Sequence, residues 1–192
     1  MIIGLTGTYC SGKNYAASIM EKQGLPVLDV DKLGYKALEQ EKEAILAKFG
    51  PDLNGTLDRK LLGKAVFGNP EKLAALEAIV HPVANRLTNE WVASQSGNCV
   101  INAALLHKSS VFSKLDRIII VKAPYFTRLL RARRRDKLPW REIFKRFAAQ
   151  KDFYSQYLSI NAEIYIIDNP GLSGSRNHKL NCQIDKFIQG IN

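Results

Sequence analysis

Met1-Ile-Ile-Gly-Leu-Thr-Gly7-Thr8-Tyr9-Cys10-Ser11-Gly12-Lys13-Asn14 opens the chain, and this stretch decides the fold. The apolar run Ile2–Thr6 turns into Gly7-x-x-x-x-Gly12-Lys13, the spacing of a phosphate-binding loop between a strand and a helix. Glycines let the backbone curl so that successive N–H groups point at phosphate oxygens, and Lys13 adds a point charge. The helix expected to start near Gly12 and run through Tyr15 to Lys22 brings its positive end to the same anion. The residues Gly7 to Tyr15 are therefore read as an ATP site. Asn14 stands where Ser or Thr usually offers a hydroxyl to Mg²⁺. An amide oxygen is also a hard ligand, so Asn14 is a candidate metal contact for Mg²⁺ entering with ATP.

Outward from the loop, strand and helix signals alternate. Short runs that are apolar on both sides mark buried parallel strands at Ile2–Thr6, Pro26–Asp29, Cys99–Ala103, Arg117–Val121 and Ile164–Ile167. The connections between them are long enough for crossover helices, which predicts a doubly wound parallel five-stranded α/β sheet. Two connections exceed what a crossover needs. In the first, Leu73, Leu76, Ile79, Val80, Val83, Leu87 and Trp91 recur at helical steps after an N-cap signal, Asn69-Pro70-Glu71. The second is arginine-rich and runs from Ala123 to Gln150. Insertions at strand ends of such sheets form substrate pockets and lids.

The chain has 192 residues, 46% of them hydrophobic, enough for one full core. No run is long enough to span a membrane and no export signal is recognisable, so no membrane partner is expected. Cys10, Cys99 and Cys182 are odd in number and widely spaced, which excludes a disulfide scaffold and fits a cytoplasmic protein. The formal net charge of +10 fits either nucleic acid or a polyphosphate substrate. Its excess lies between Arg128 and Arg146, with a weaker stretch at Arg176–Lys179. Trp140, Phe144 and Phe147 lie among those charges, and helical spacing predicts a packed face for Phe144 and Phe147.

Leu28-Asp29-Val30-Asp31 ends the second strand candidate. Strand alternation would put Asp29 and Asp31 on one side, at the sheet end where ligands bind. Asp31 fits two roles, orienting a substrate hydroxyl for attack on a γ-phosphate or capping the following helix.

Phe49-Gly50, Asn54-Gly55-x-x-Asp58-Arg59-x-x-Leu62-x-x-x-Val66-Phe67 and Leu76-x-x-Ile79-x-His81-Pro82 closely resemble the dephospho-CoA kinase family. The resemblance extends from the phosphate loop to Ala148-Ala149-Gln150 and Ile167-Asp168-Asn169. It implies a P-loop NTPase-like fold that transfers the ATP γ-phosphate to the 3′-hydroxyl of dephospho-CoA, with no nucleic-acid partner. Residues 1–39, 95–122 and 151–192 would form the nucleotide-binding core, 40–94 a helical substrate-binding insertion and 123–150 the lid. By the same resemblance Asp31 would activate the hydroxyl and Lys13 bridge the β- and γ-phosphates. Arg135 would neutralise the transferring group, Asn169 contact ATP, and Arg59, His81 and Arg131 contact substrate. For two of these the residues alone leave a plainer reading: His81 as a packed helix histidine, Arg59 as the partner of a nearby carboxylate. The chain also departs from the family pattern. Asn102 stands where an acidic residue is usual, Ala104 where proline is, and His107 follows the leucine pair in place of Phe-Glu.

Overall fold

The computed structural model describes residues 1–157, 160–171 and 178–191. Arg176, part of the weaker basic stretch, lies outside them. Five parallel strands, β1 (Ile2–Gly7), β2 (Val27–Asp29), β3 (Cys99–Asn102), β4 (Arg117–Lys122) and β5 (Glu163–Asp168), form one sheet in the order β2-β3-β1-β4-β5. The chain leaves the central strand β1 towards β2 and β3 on one side and returns to β4 and β5 on the other. This reversal of strand order opens a crevice at the carboxyl end of β1.

The burial pattern explains why these runs became strands. All four residues of β3 are buried, as are the middle four of β4, so each strand is covered on both faces. Ile3 and Leu5 pack with Val100, Ile119, Val121 and Ile167 against α1 (Lys13–Lys22) and the C-terminal helix α8 (His178–Gln189). On the opposite face Gly4 is crowded: a Cβ there would lie 2.9 Å from a Leu115 methyl carbon.

Two compact units divide the chain, Met1–Asp29 with Ser94–Asn192, and Val30–Ala93. The second is all helical: α2 (Val30–Gln40), α3 (Lys42–Phe49), α4 (Arg59–Val66) and α5 (Pro70–Ala93). Ile45, Phe49, Leu53, Leu62 and Val66 form its own core, with Leu76, Ile79 and Val80 of α5 packed on it. Asn69 caps α5 through its side chain, accepting from the Lys72 amide at 3.0 Å, with Pro70 in the first turn. One detail differs from the periodicity. Leu73 is exposed, and the buried positions of α5 are the small residues Ala84 and Thr88. Small side chains let another backbone approach closely, a demand that hydrophobic spacing does not encode.

The carboxylate pair also differs from expectation. β2 ends at Asp29 and α2 begins at Val30, so strand alternation stops before Asp31, which lies in the first turn of the helix. Asp31 is exposed there, and a carboxylate in a first turn is favoured by the helix dipole.

The arginine-rich segment folds as α6 (Tyr125–Asp136) and α7 (Trp140–Ala148), each entered through a proline. Ile143, fully buried, anchors α7. Phe144, expected on the packed face, is 46% exposed and stacks on Trp140 at 6.2 Å.

Candidate active site

The loop Gly7–Lys13 lies between β1 and α1, at the crevice. Its two glycines are required by space and by backbone. A Cβ on Gly7 would stand 2.6 Å from the Val121 carbonyl oxygen and collide with the Ser11 hydroxyl. Gly12 has φ 97° and abuts the Asn169 amide, so a side chain there would be both strained and obstructed. Cys10 also adopts a left-handed conformation, φ 59°, unusual for a residue with a side chain. Burial pushes its thiol pKa up, although the neighbouring arginines oppose this. Ser11 is 1% exposed, and its Oγ has no hydrogen-bond partner among the described residues.

Lys13 is the first residue of α1. Its Nζ donates to Asn14 Oδ1 and to Asn102 Oδ1, each at 3.1 Å, and Asn102 Nδ2 donates to Asn14 Oδ1 at 3.1 Å. The two amides that depart from the family pattern are thus in contact with each other and with the loop lysine. Asn102 is 2% exposed at the end of β3, level with Leu5 of β1 and Asp29 of β2.

The arginine-rich helices grip the loop from outside. Arg131 donates through Nη1 to the carbonyls of Cys10 (3.2 Å) and Ser11 (2.9 Å). Through Nη2 it reaches the Asn169 carbonyl, Asn169 Oδ1 and the Gly171 carbonyl. Asn169, itself 2% exposed, donates from Nδ2 to the Ser11 carbonyl at 2.8 Å. Arg131 and Asn169 together therefore fix the outer edge of the loop and the turn after β5.

Tyr9 is held from several directions. Its amide donates to Gln150 Oε1 at 2.6 Å, and its hydroxyl donates to Asp136 Oδ2. Phe147 meets its ring edge-on at 5.6 Å. Arg135 and Arg146 lie over the ring at 5.3 and 5.5 Å, and both bond Asp136. The Arg135 guanidinium holds the Asp136 carboxyl below the usual carboxylate range, although burial opposes this. Tyr9 is shifted the other way, its pKa raised by burial and by the neighbouring carboxylate. Arg133 and Arg134 are exposed, and Arg133 donates to the Leu138 carbonyl and lies over the Trp140 ring at 5.4 Å.

Of the residues that sequence reasoning gathered, Gly7–Asn14, Arg131, Arg135 and Asn169 come together in the sheet unit. Asp31, Arg59 and His81 belong to the helical unit. Arg59 follows the N-cap Asp58 on α4, pairs with Glu39 at 3.1 Å and lies over the Tyr35 ring at 4.7 Å. Its guanidinium is half exposed, so solvent screens that pair. His81 lies half-buried in mid-α5, next to Pro82 within the helix. Sequence reasoning missed Asp136 and Gln150 as loop contacts. Their partner Tyr9 is more than a hundred residues away, and only the adjacent Arg135-Asp136 pair hinted at an internal ion pair.

Among the described residues no group of three or more His, Cys, Asp or Glu is placed to hold a metal. The side-chain oxygens of Asn14 and Asn102 both accept from the Lys13 ammonium. The site is thus shaped for a polyanion, with backbone amides and cations supplied by the loop and the arginine-rich helices.

Comparison with known proteins agrees with this geometry. Residues 1–172 match the family model for dephospho-CoA kinase. The dephospho-CoA kinase of Treponema denticola is 32% identical, over 97% of this chain and 90% of its own. Among solved structures, TT1252 from Thermus thermophilus superposes with a TM-score of 0.85 at 30% identity, covering 99% of this chain and 96% of that one. A shikimate kinase from Bacteroides thetaiotaomicron shares the fold with a TM-score of 0.54 at 12% identity, covering 98% of this chain and 97% of its own. With residues 1–172 matched to the family model and a relative alike over nearly all of its length, the chain belongs to the dephospho-CoA kinase family.

Proposed function

We propose that the chain is an ATP-dependent kinase that transfers the γ-phosphate of ATP to the 3′-hydroxyl of dephospho-CoA, and that it works in the cytoplasm. The observation that carries this reading is the Gly7–Lys13 loop, in a chain whose family match spans residues 1–172. Gly7 and Gly12 leave no room for side chains, and Lys13 opens α1.

Phosphoryl transfer needs positioning and charge neutralisation more than covalent chemistry from the protein. The loop amides and the α1 N-terminus receive the phosphates, with Lys13 at the β- and γ-oxygens. Arg131 and Asn169 hold the outer wall of the nucleotide site. Arg135 is the cation assigned to the transferring group, and in that role it exchanges the Asp136 carboxylate for phosphate oxygens. Asp31 takes the proton of the acceptor hydroxyl at its carboxylate. Arg59 and His81, in the helical insertion, are assigned to the acceptor. The segment 123–150 acts as the lid and 40–94 as the acceptor-binding insertion. Excluding water under the lid limits hydrolysis of ATP.

Mg²⁺ fits the donor set as an ion that enters with ATP, because Asn14 Oδ1 and Asn102 Oδ1 are neutral oxygens suited to a largely hydrated, phosphate-held ion. When bound, it neutralises charge on the β- and γ-oxygens. In this reading the positive charge of the lid serves the phosphates of the two substrates, and no nucleic-acid partner is proposed.

The test is transfer from ATP to dephospho-CoA, with Lys13→Ala as the blank. Product from the wild type, lost in the variant, is expected. Product only with other acceptors, such as nucleoside monophosphates, would replace dephospho-CoA as the substrate. No product with any acceptor would overturn the kinase assignment.

A further inference from the structure

The two edges of the sheet differ in how they are protected. An edge strand offers unpaired N–H and C=O groups, and natural proteins blunt it by shortness, proline or charge. β2 follows this rule: it has three residues, enters from Pro26 and ends in Asp29. β5 does not. It has six residues, Glu163-Ile-Tyr-Ile-Ile-Asp168, with no proline or glycine and with charges at its two ends alone. Among the described residues it pairs only with β4.

Its hydrogen bonds fix which way its backbone groups point. The Glu163 and Asn169 amides donate inward, to the Asp116 and Lys122 carbonyls. Alternation along the strand then turns the N–H and C=O of Ile164, Ile166 and Asp168 outward. At Asp168 these groups are taken. Its amide donates to Gln183 Oε1 at 3.0 Å, and its carbonyl accepts from Gln183 Nε2 at 3.1 Å, so a side chain of α8 plays a strand's part there. Ile164 and Ile166 have no such cap among the described residues. Tyr165 and Ile167 pack with α8, so the two isoleucines lie on the opposite face, where they are 37% and 56% exposed.

We propose that β5 pairs with β5 of a second copy of this chain, antiparallel about a two-fold axis at Tyr165, joining two sheets into one. The strand is complementary to itself in this register, as an isologous contact requires. Ile164 stands opposite the partner's Ile166, and the outward groups of both face each other, so each pair exchanges its N–H and C=O groups. The exposed isoleucines then cover one another across the strands. Neighbouring registers lose this. An axis at Ile166 sets Ile164 against the partner's Asp168, whose groups Gln183 holds. An axis at Ile164 sets the more exposed Ile166 against Ala162, outside the strand. Charge agrees with the axis at Tyr165. The groove on α8 beside this edge is lined by His178, Lys179, Cys182, Gln183 and Lys186, without a carboxylate. The pairing brings the partner's exposed Glu163 level with Ile167, at the Lys179 end of that groove.

Sedimentation equilibrium of the full chain, from about 1 μM to about 1 mM, tests the pairing. One strand pair is smaller than a standard interface of about 1,600 Å², so a monomer–dimer equilibrium within that range is expected. Ile166→Lys and Ile164→Glu, both at exposed positions, should each raise the dimer Kd about tenfold or more. Thermal melting at low concentration checks that each variant folds like the wild type. The double variant Ile164→Glu/Ile166→Lys sets each glutamate opposite the partner's lysine and should recover most of the loss. Exchange of the Ile164 and Ile166 amides should slow as concentration rises. A dimer that neither single variant weakens uses another surface, and a double variant no tighter than the singles has another register. Either result overturns the proposal, and so does a monomer at every concentration. Slow amide exchange in that monomer would show the edge covered from within the chain, and fast exchange would leave it to some other extended segment.

Discussion

In the phosphate loop, Tyr9, Cys10 and Ser11 are each reached from the arginine-rich helices, by Gln150, Asp136, Arg131 and the rings around them. In the helical unit Arg59 and Asp31, both assigned to substrate, are exposed to solvent. Arg59 has a solvent-exposed ion pair and an aromatic neighbour, and Asp31 lies exposed in a helix first turn. The order in the helical unit comes from its apolar core, which fixes the backbone and leaves polar side chains at the surface. The contrast separates two tasks. A site for a triphosphate gains from donors fixed in advance, since catalysis here is largely electrostatic preorganisation. Groups assigned to the acceptor stand instead where an incoming molecule reaches them from solvent.

That contrast can be broken at several points. The largest effect is expected at Asp31. Asp31→Asn should lower turnover by about 10²–10⁴-fold with ATP affinity retained, as loss of a general base does. Steady-state kinetics with separate ATP binding checks this, and near-normal turnover would reduce Asp31 to a helix-dipole carboxylate. Next is Arg131→Ala, which strips donors from the carbonyls of Cys10, Ser11, Asn169 and Gly171. A loss of about 2–3 kcal/mol in stability and a rise in the KM for ATP are expected. A variant that melts and binds ATP like the wild type would show that the loop is not held from outside.

Asp136→Asn tests the grip on Tyr9 more gently. It keeps an acceptor for the Tyr9 hydroxyl but removes the charge that organises Arg135 and Arg146. Because the folded-state pKa of Asp136 is depressed, its contribution to stability is fully present above the unfolded value of about 3.9 and is lost as pH falls through the folded value. Acid titration of thermal stability should therefore show a steeper decline in the wild type than in the variant. Equal slopes would mean that the carboxylate does no such work. The smallest change is expected for Arg59→Ala. Its exposed pair with Glu39 should contribute less than about 1 kcal/mol, so an increase in the acceptor KM without a change in melting temperature would report a direct substrate contact. If neither value moves, Arg59 is only the partner of Glu39.

Much of this architecture was legible in the sequence because it is written locally. All five strand candidates were placed within a residue or so of the observed ends, since two-sided apolar runs and crossover lengths are properties of contiguous chain. The Asn69-Pro70 start of α5 was legible for the same reason. Strand alternation failed at Asp31, because the turn from β2 into α2 comes one residue after Asp29. Phe144 followed a helical spacing whose packed position is taken by Ile143. The contacts of Asp136, Gln150 and Arg128 with Tyr9 were illegible for another reason. They join residues more than a hundred positions apart, and a single sequence carries no mark of which distant residues meet. The neighbouring amides Asn14 and Asn102 stood out only as departures from a pattern. Their meeting at the Lys13 ammonium needed coordinates.

The strand order also sets a timetable for synthesis on the ribosome. β1 stands at the centre of the sheet, and its two neighbours begin only at Cys99 and Arg117. The helical stretch Val30–Ala93, with its own core, emerges in the interval before either neighbour exists. Short-range contacts close quickly and long-range parallel pairing closes late. The strand that leads into the loop is thus translated well before the two strands that flank it. Pulse-labelled hydrogen exchange should find amides of the helical stretch protected before those of Ile3 to Gly7.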